Sequence, residues 1–102
     1  MKKIIVGKRY DTDKAILVGE VSYGHQGDLE RWEAGLYMTP RSKKFFLAGS
    51  GGPMTRFAKR VDQNSMSGGS DLVEMPDADA LAWAEQYLTP EEIEAHFDIE
   101  DA

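Results

Sequence analysis

The clearest pattern of apolar and polar positions lies between residues 32 and 48. Over 32–38, apolar residues alternate with polar or small ones, and a period of two is typical of a strand with one buried face. Residues 39–43 include a proline that favours a turn, and 44–48 form a second apolar run. The pattern predicts a β-hairpin whose core-facing residues include Trp32, Leu36 and Met38.

The first residues predict a second hairpin followed by a helix. Residues 4–6 form a β-prone run, a glycine follows, and residues 9–10 can return as the partner strand. Residues 11–13 are of types that cap helix N-termini, and their acidic side chains favour the positive end of a helix. We therefore expect a short helix over about 11–18 that Gly19 ends.

Glycine, serine and proline divide the segment between residues 49 and 76. The Gly-rich stretch 49–53 is expected to be a flexible loop, and residues 55–61 are expected to form a strand. The polar stretch 63–70 is expected to be a loop. Residues 71–75 predict a short strand that Pro76 ends.

The C-terminus predicts two helices. Apolar residues recur at helical spacing over 80–88, after Asp77, which is placed to cap the first helix. Thr89 and Glu92 flank Pro90 in the arrangement of a capping box, in which each side chain bonds the backbone N–H of the other residue. A second, short helix is therefore expected after Thr89.

Together these elements predict a single α+β domain over residues 1–102. It would contain a small antiparallel sheet of three to five strands and a short N-terminal helix. The two C-terminal helices would pack on one face of the sheet. A chain of 102 residues has the length of one domain.

The net charge of −6 conceals an uneven distribution along the chain. Residues 1–70 carry all 12 basic residues and 7 acidic ones, whereas residues 71–102 carry 11 acidic residues and no basic one. Two interpretations are open. The acidic helices can lie against the basic half and neutralise it, or one charged face can contact a partner.

Few residues fall into patterns that carry catalysis or bind metal. The chain has no cysteine, which excludes disulfides, thiol nucleophiles and cysteine zinc sites. His25 and His96 have no further ligand at motif spacing, and no serine lies in a G-x-S-x-G motif. The glycines of 49–52 lack the Lys-Ser/Thr pair of a phosphate loop. We expect no metal, no cofactor and no enzymatic activity.

The apolar runs are short. None approaches the roughly 18 residues that a membrane-spanning helix needs. The apolar stretch 4–6 is too short for the core of a signal peptide. We therefore expect a cytoplasmic protein without a membrane partner.

The opening K-K-I-I-V-G-K-R-Y-D-T-D-K-A at residues 2–15 resembles the start of small proteins encoded by bacterial phages and plasmids. The segments 32–39, 44–55 and 80–85 extend this resemblance over nearly the whole chain. Some similar proteins act as anti-CRISPR inhibitors. The resemblance implies stoichiometric binding to a CRISPR effector, either the protein or its guide-RNA complex, that blocks nucleic-acid binding or assembly. It assigns no site residues.

On this interpretation the candidate contact is the acidic C-terminal region, because a negative surface can occupy a groove that binds phosphates. The candidate partner-binding residues are Asp77, Asp79, Glu85, Glu91, Glu92 and Glu94.

An alternative is a nucleic-acid-binding accessory protein of a mobile element that uses the basic half of the chain, with guide RNA among its candidate ligands. The candidate residues are Arg41, Lys43, Lys44, Arg56, Lys59 and Arg60. Tyr37 and Phe45 fall on the polar positions of their strands, where aromatic rings between cations can stack on bases.

Overall fold

The computed structural model describes residues 1–25, 28–52, 59–60 and 66–102. The strands are β1 (Lys2–Ile5), β2 (Lys8–Asp11), β3 (Ile16–Tyr23), β4 (Trp32–Met38), β5 (Phe45–Gly51), β6 (Lys59–Arg60), β7 (Met66–Ser67) and β8 (Gly69–Met75). The helices are α1 (Asp77–Tyr87) and α2 (Pro90–Glu94).

A four-stranded antiparallel sheet of order β3-β4-β5-β8 forms the centre of the fold. β4 and β5 pair from Met38 opposite Phe45 to Trp32 opposite Gly51. This pairing confirms the hairpin predicted from the alternating pattern. β1 and β2 form a separate hairpin, also as predicted, and β6 pairs with β7.

The strand alternation gives the four-stranded sheet two different faces. The helix face is covered by α1 and α2, and its buried cluster includes Leu36, Leu47 and Trp83. The hairpin face is partly covered by β1 and β2, and Tyr10 packs there against Phe46. The predicted core orientation is confirmed, because Leu36 and Met38 are buried on the helix face and the half-buried Trp32 packs against them.

The α+β prediction is wrong, because the described part of the chain is mostly β and has no N-terminal helix. Asp11 ends β2 opposite Lys2, and its carboxylate accepts the Asp13 N–H at 3.0 Å. Aspartate favours such turns for the same reason that it favours helix caps, since its short side chain bonds nearby backbone N–H groups. The apolar residues that follow enter β3, where Ile16 pairs with Met38.

The loops predicted around the glycines are also wrong where the structure describes them. β5 continues through the predicted loop to Gly51, which pairs with Gly69 of β8. A Cβ at Gly68 would lie 2.7 Å from the Gly51 carbonyl oxygen, so the close backbone approach requires glycine. The strand predicted over 71–75 is confirmed as the end of β8. Of the strand predicted over 55–61, the described part is β6, and the rest lies outside the described residues.

The helices differ in how they begin. Asp77 does not cap α1, because Pro76 is the N-cap residue and no side chain bonds the free N–H groups there. The capping box of Thr89 and Glu92 at the start of α2 is confirmed. Phe97, just beyond α2, stacks on Phe45 with ring centroids 4.7 Å apart. Among the helices of the described residues, none is long and apolar enough to cross a membrane.

Candidate partner-binding surfaces

The six predicted carboxylates lie on α1 and α2, five of them exposed to solvent, and we call them the acidic helix surface. They are Asp77, Asp79, Glu85, Glu91, Glu92 and Glu94. α1 buries Ala80, Trp83 and Ala84 against the sheet, which turns its carboxylates outward. Because successive helical residues turn by about 100°, Asp77 and Asp79 lie on opposite flanks of α1 and Glu85 on its outer side. The carboxylates of α1 therefore lie on its two flanks and its outer side and do not follow one stripe.

Glu92 differs from the other five because the cap of α2 engages it. Its carboxylate accepts the Thr89 N–H at 3.0 Å and the Thr89 hydroxyl at 3.1 Å, and the Thr89 hydroxyl accepts the Glu92 N–H at 3.3 Å. Glu92 is half-buried, whereas the other five residues are exposed. Glu92 therefore caps the start of α2, whereas the other five carboxylates are exposed and take no part in this cap.

The basic residues that the structure describes form no ion pair with these carboxylates. Within the described residues there is one ion pair, between Lys3 Nζ and Asp71 Oδ1 at 3.1 Å, and it joins β1 to β8. The bases of the first hairpin lie on the opposite side of the sheet from α1 and α2. The sheet therefore separates the bases of the first hairpin from the acidic helix surface.

The predicted basic residues are not gathered into one patch where the structure describes them. Arg41, Lys43 and Lys44 are exposed in the turn between β4 and β5. Lys43 shares a cleft with Asp77 and Glu94, so its surroundings are of mixed charge. Arg56 and the side chains of Lys59 and Arg60 lie outside the described residues.

Tyr37 and Phe45, the two aromatic residues predicted to face cations, pack inside the fold instead. Phe45 is buried on the helix face against Phe97. Tyr37 is half-buried on the hairpin face and stacks on Phe46 with centroids 5.3 Å apart. Neither ring is presented for base stacking.

An aromatic chain that the sequence pattern did not reveal runs from the core to the surface. Tyr23 stacks on Trp32 with centroids 6.4 Å apart, and Trp32 meets the ring of Tyr87 edge-on at 5.5 Å. Tyr87 lies 5.0 Å from the buried Trp83. Tyr23 is 57% exposed, and surface tyrosines and tryptophans of this kind are enriched in protein interfaces. The signal in the sequence was Tyr87, which belongs to the helical apolar stripe over residues 80–88.

The hairpin face also carries a feature that the sequence did not indicate. β1 and β2 leave part of this face open, and a cavity of about 450 Å³ lies beside β3. We call it the acidic trough, lined by Glu20, Ser22, Glu33, Gly35, Tyr37 and Ser50. Its residues come from three strands that the register brings side by side.

The acidic trough contains two exposed carboxylates in different settings. Glu33 accepts the Ser50 hydroxyl at 3.1 Å. Glu20 lies on β3, diagonally across the strand pair from Glu33. Burial raises the pKa of the Tyr37 phenol, and the charges of Glu20 and then Asp13 raise it further. The trough is therefore a negative region beside the sheet edge.

The described residues offer little that is typical of a catalytic or metal centre. No group of three or more His, Asp or Glu side chains among them could hold a metal ion. His25 is exposed and His96 is half-buried near Phe97 and Glu94. The features that stand out are surfaces of charge and aromatic area, which suit contact with a macromolecule.

Comparison with known proteins leaves the chain without a family assignment. No family model matches it. No curated protein matches it. No solved structure matches it.

Proposed function

We propose that this chain is an anti-CRISPR-type inhibitor from a phage or plasmid. It binds a CRISPR effector stoichiometrically in the cytoplasm of the bacterial host and blocks nucleic-acid binding or assembly. The observation that carries the proposal is the acidic helix surface, whose exposed carboxylates have no basic side chain in direct contact within the described residues. The resemblance of residues 2–15 to mobile-element proteins supplies the class of partner.

The mechanism follows from charge. An effector binds guide RNA and target DNA through positive grooves that recognise phosphates. Carboxylates on the outer side of the two helices can bind the same lysines and arginines and exclude the nucleic acid. Such association is fast at low salt and weakens as salt screens the charges.

The alternative, direct nucleic-acid binding, has weaker support. Lys43 lies in a cleft with acidic residues, and the bases of the first hairpin lie in another layer of the fold. The Lys3 ammonium is already engaged with Asp71. A gel-shift series at low salt against guide RNA and duplex DNA tests this alternative, because phosphate contacts are strongest there.

The experiment is a titration of the chain against purified host effector complexes, read out as target-DNA binding and cleavage. We expect co-purification with one effector and complete inhibition near one copy per effector. Inhibition at far below one copy would instead indicate an enzyme. If no effector from the host species binds the chain, the proposed function is wrong.

A matched pair of double variants tests the contact surface. Glu85→Gln with Glu91→Gln removes two charges from the acidic helix surface and should weaken effector binding by about tenfold, since two exposed charge pairs at roughly 0.7 kcal/mol each amount to about 1.4 kcal/mol. The control, Asp13→Asn with Glu74→Gln, removes two exposed charges away from the helices. Equal loss in both pairs would show a net-charge effect and would reject the helices as the contact.

A further inference from the structure

The outer edge of β3 is open within the part of the chain that the structure describes. β3 is at one end of the four-stranded sheet and β8 at the other. Lys3 reaches the β8 edge and donates to the Leu72 carbonyl at 3.2 Å. No hydrogen bond from another part of the described chain reaches the backbone of β3 outside its pairing with β4. Alternate residues of an edge strand direct their N–H and C=O groups outward, so β3 presents a free ladder.

β3 has few of the devices that normally block such an edge. It is eight residues long and contains no lysine and no proline. Its one irregularity is a register shift between Leu17 and Gly19. Leu17 and Tyr23 are 44% and 57% exposed, so apolar surface lies at both ends of the strand. Long edges with exposed apolar residues pair readily with another strand.

The surroundings of this edge are acidic on both faces of the sheet. On the hairpin face, Glu20 and Glu33 line the acidic trough next to β3. On the helix face, the Glu92 carboxylate approaches Gly19, since a Cβ there would lie 2.9 Å from Glu92 Oε2. The sequence from residue 15 to 30 contains no lysine or arginine. A strand added at this edge therefore meets negative charge.

We propose that β3 receives an extended, basic segment of the protein partner as an additional antiparallel or parallel strand of the sheet. The proposal rests on the proposed function for the identity of the partner. Backbone hydrogen bonds to β3 supply the affinity, and the side-chain alternation supplies the specificity. Basic side chains of the segment lie over the acidic trough, and apolar ones pack beside Val21 and Tyr23 on the helix face.

A second copy of this chain fits the edge less well. Two copies joined through β3 would bring Glu20 and Glu92 of each copy towards those of the other. Each copy also carries a net charge of −6. Like charges facing each other across paired strands destabilise the pairing. Charge complementarity thus selects a basic segment as the occupant.

The probe is a synthetic peptide as long as β3 that alternates lysine with valine and threonine. It is added to the full ¹⁵N-labelled chain, and amide shifts and hydrogen exchange are followed. We expect the outward-facing β3 amides to become protected and the exchange of β8 amides to stay unchanged. Two control peptides accompany it. One replaces lysine by glutamate, and the other keeps lysine but carries N-methyl groups on alternate residues, which block the ladder and keep the charge.

Variants of the protein distinguish peptide binding at the β3 edge from a general effect of the protein's charge. Glu20→Lys should weaken peptide binding at least about threefold, from the loss of favourable cross-strand charge pairs. Glu74→Lys makes the same charge change at an exposed site on β8 and should have a smaller effect. Leu17→Lys places a protective lysine on the edge at a half-exposed position and should also weaken binding. Thermal melting of each variant checks that it folds.

The binding of the N-methylated peptide and of the charge variants tests strand addition directly. Equal binding of the N-methylated peptide, or equal loss in Glu20→Lys and Glu74→Lys, would overturn strand addition. Concentration-dependent protection of β3 without peptide would assign the edge to a second copy and also overturn the proposal. The peptide assay needs no effector, so its failure is distinguishable from failure of the proposed inhibition.

Discussion

The two faces of the four-stranded sheet differ in how much apolar surface is buried against them. On the helix face, nine of the described residues form one continuous buried cluster that α1 and α2 close. On the hairpin face, four of the described residues form the buried cluster, and Tyr10 and Phe46 are its largest members. Among the described residues the larger cluster buries more apolar surface, so it contributes more hydrophobic stabilisation than the smaller one.

The difference arises from the size of the elements that cover each face. The strands of the first hairpin are four residues long, and they cover Phe46 and Leu72 but leave the acidic trough open. The helices cover their face more fully and carry their charges outward. The described part of the chain therefore carries two negative regions, one formed by the helices and one formed where the hairpin ends.

The largest expected effect is on the helix face. Trp83 is 8% exposed and packs in the helix-face cluster against Tyr87. Trp83→Ala should lower the free energy of unfolding by about 3–5 kcal/mol, because it removes buried ring area and leaves a cavity. Urea unfolding measures this loss.

Tyr23→Ala is the matched control for Trp83→Ala. It removes the exposed end of the same aromatic chain, so its cost should stay below about 1 kcal/mol. If the two variants lose equal stability, the buried end and the exposed end of the aromatic chain do not differ in their contribution to the free energy of unfolding.

A smaller effect is expected at the start of α2. Thr89→Ala removes the hydroxyl that accepts the Glu92 N–H and should cost about 1 kcal/mol. Thr89→Ser keeps the cap and should stay close to the parent chain. Urea unfolding gives the cost, and hydrogen exchange of the α2 amides locates it. Equal stability of both variants would show that packing of Ile93 and Phe97 holds α2 without the cap.

The sequence predicts those elements whose signals are local. The alternation over 32–38 fixes which residues of β4 face the helices, and the Thr-Pro-Glu-Glu pattern fixes the start of α2. Residues 11–13 mislead because aspartate and threonine favour turns and helix caps alike. The following apolar residues become β3 through pairing with β4, and that partner is distant along the chain.

The candidate sites likewise divide into one with a local sequence signal and others that depend on strand pairing. The acidic helix surface is predictable, since exposed carboxylates on two short amphipathic helices follow from helical spacing. The acidic trough is not predictable from the sequence, because Glu20 and Glu33 become neighbours only through the register of β3 and β4. The open edge of β3 likewise depends on strand order, which no residue type in β3 specifies.

The smallest effect concerns pH, and it should be confined to the hairpin face. Burial raises the pKa of the Tyr10 phenol above 10.0, and the nearby charge of Glu74 raises it further. Burial and the charges of Glu20 and Asp13 do the same for the pKa of Tyr37. Both phenols hold their protons to higher pH in the folded chain than in the unfolded chain.

The sign of the pH dependence follows from proton binding. Above pH 10 the unfolded chain loses phenolic protons that the folded chain keeps, so the stability that is complete below pH 10 falls as pH rises through the folded pKa values. Tyr37→Phe should flatten this alkaline decline in urea unfolding, whereas Thr89→Ser on the helix face, which changes no titratable group, should leave it in place. If both variants flatten the decline equally, the loss of stability at alkaline pH does not arise from the phenols of the hairpin face.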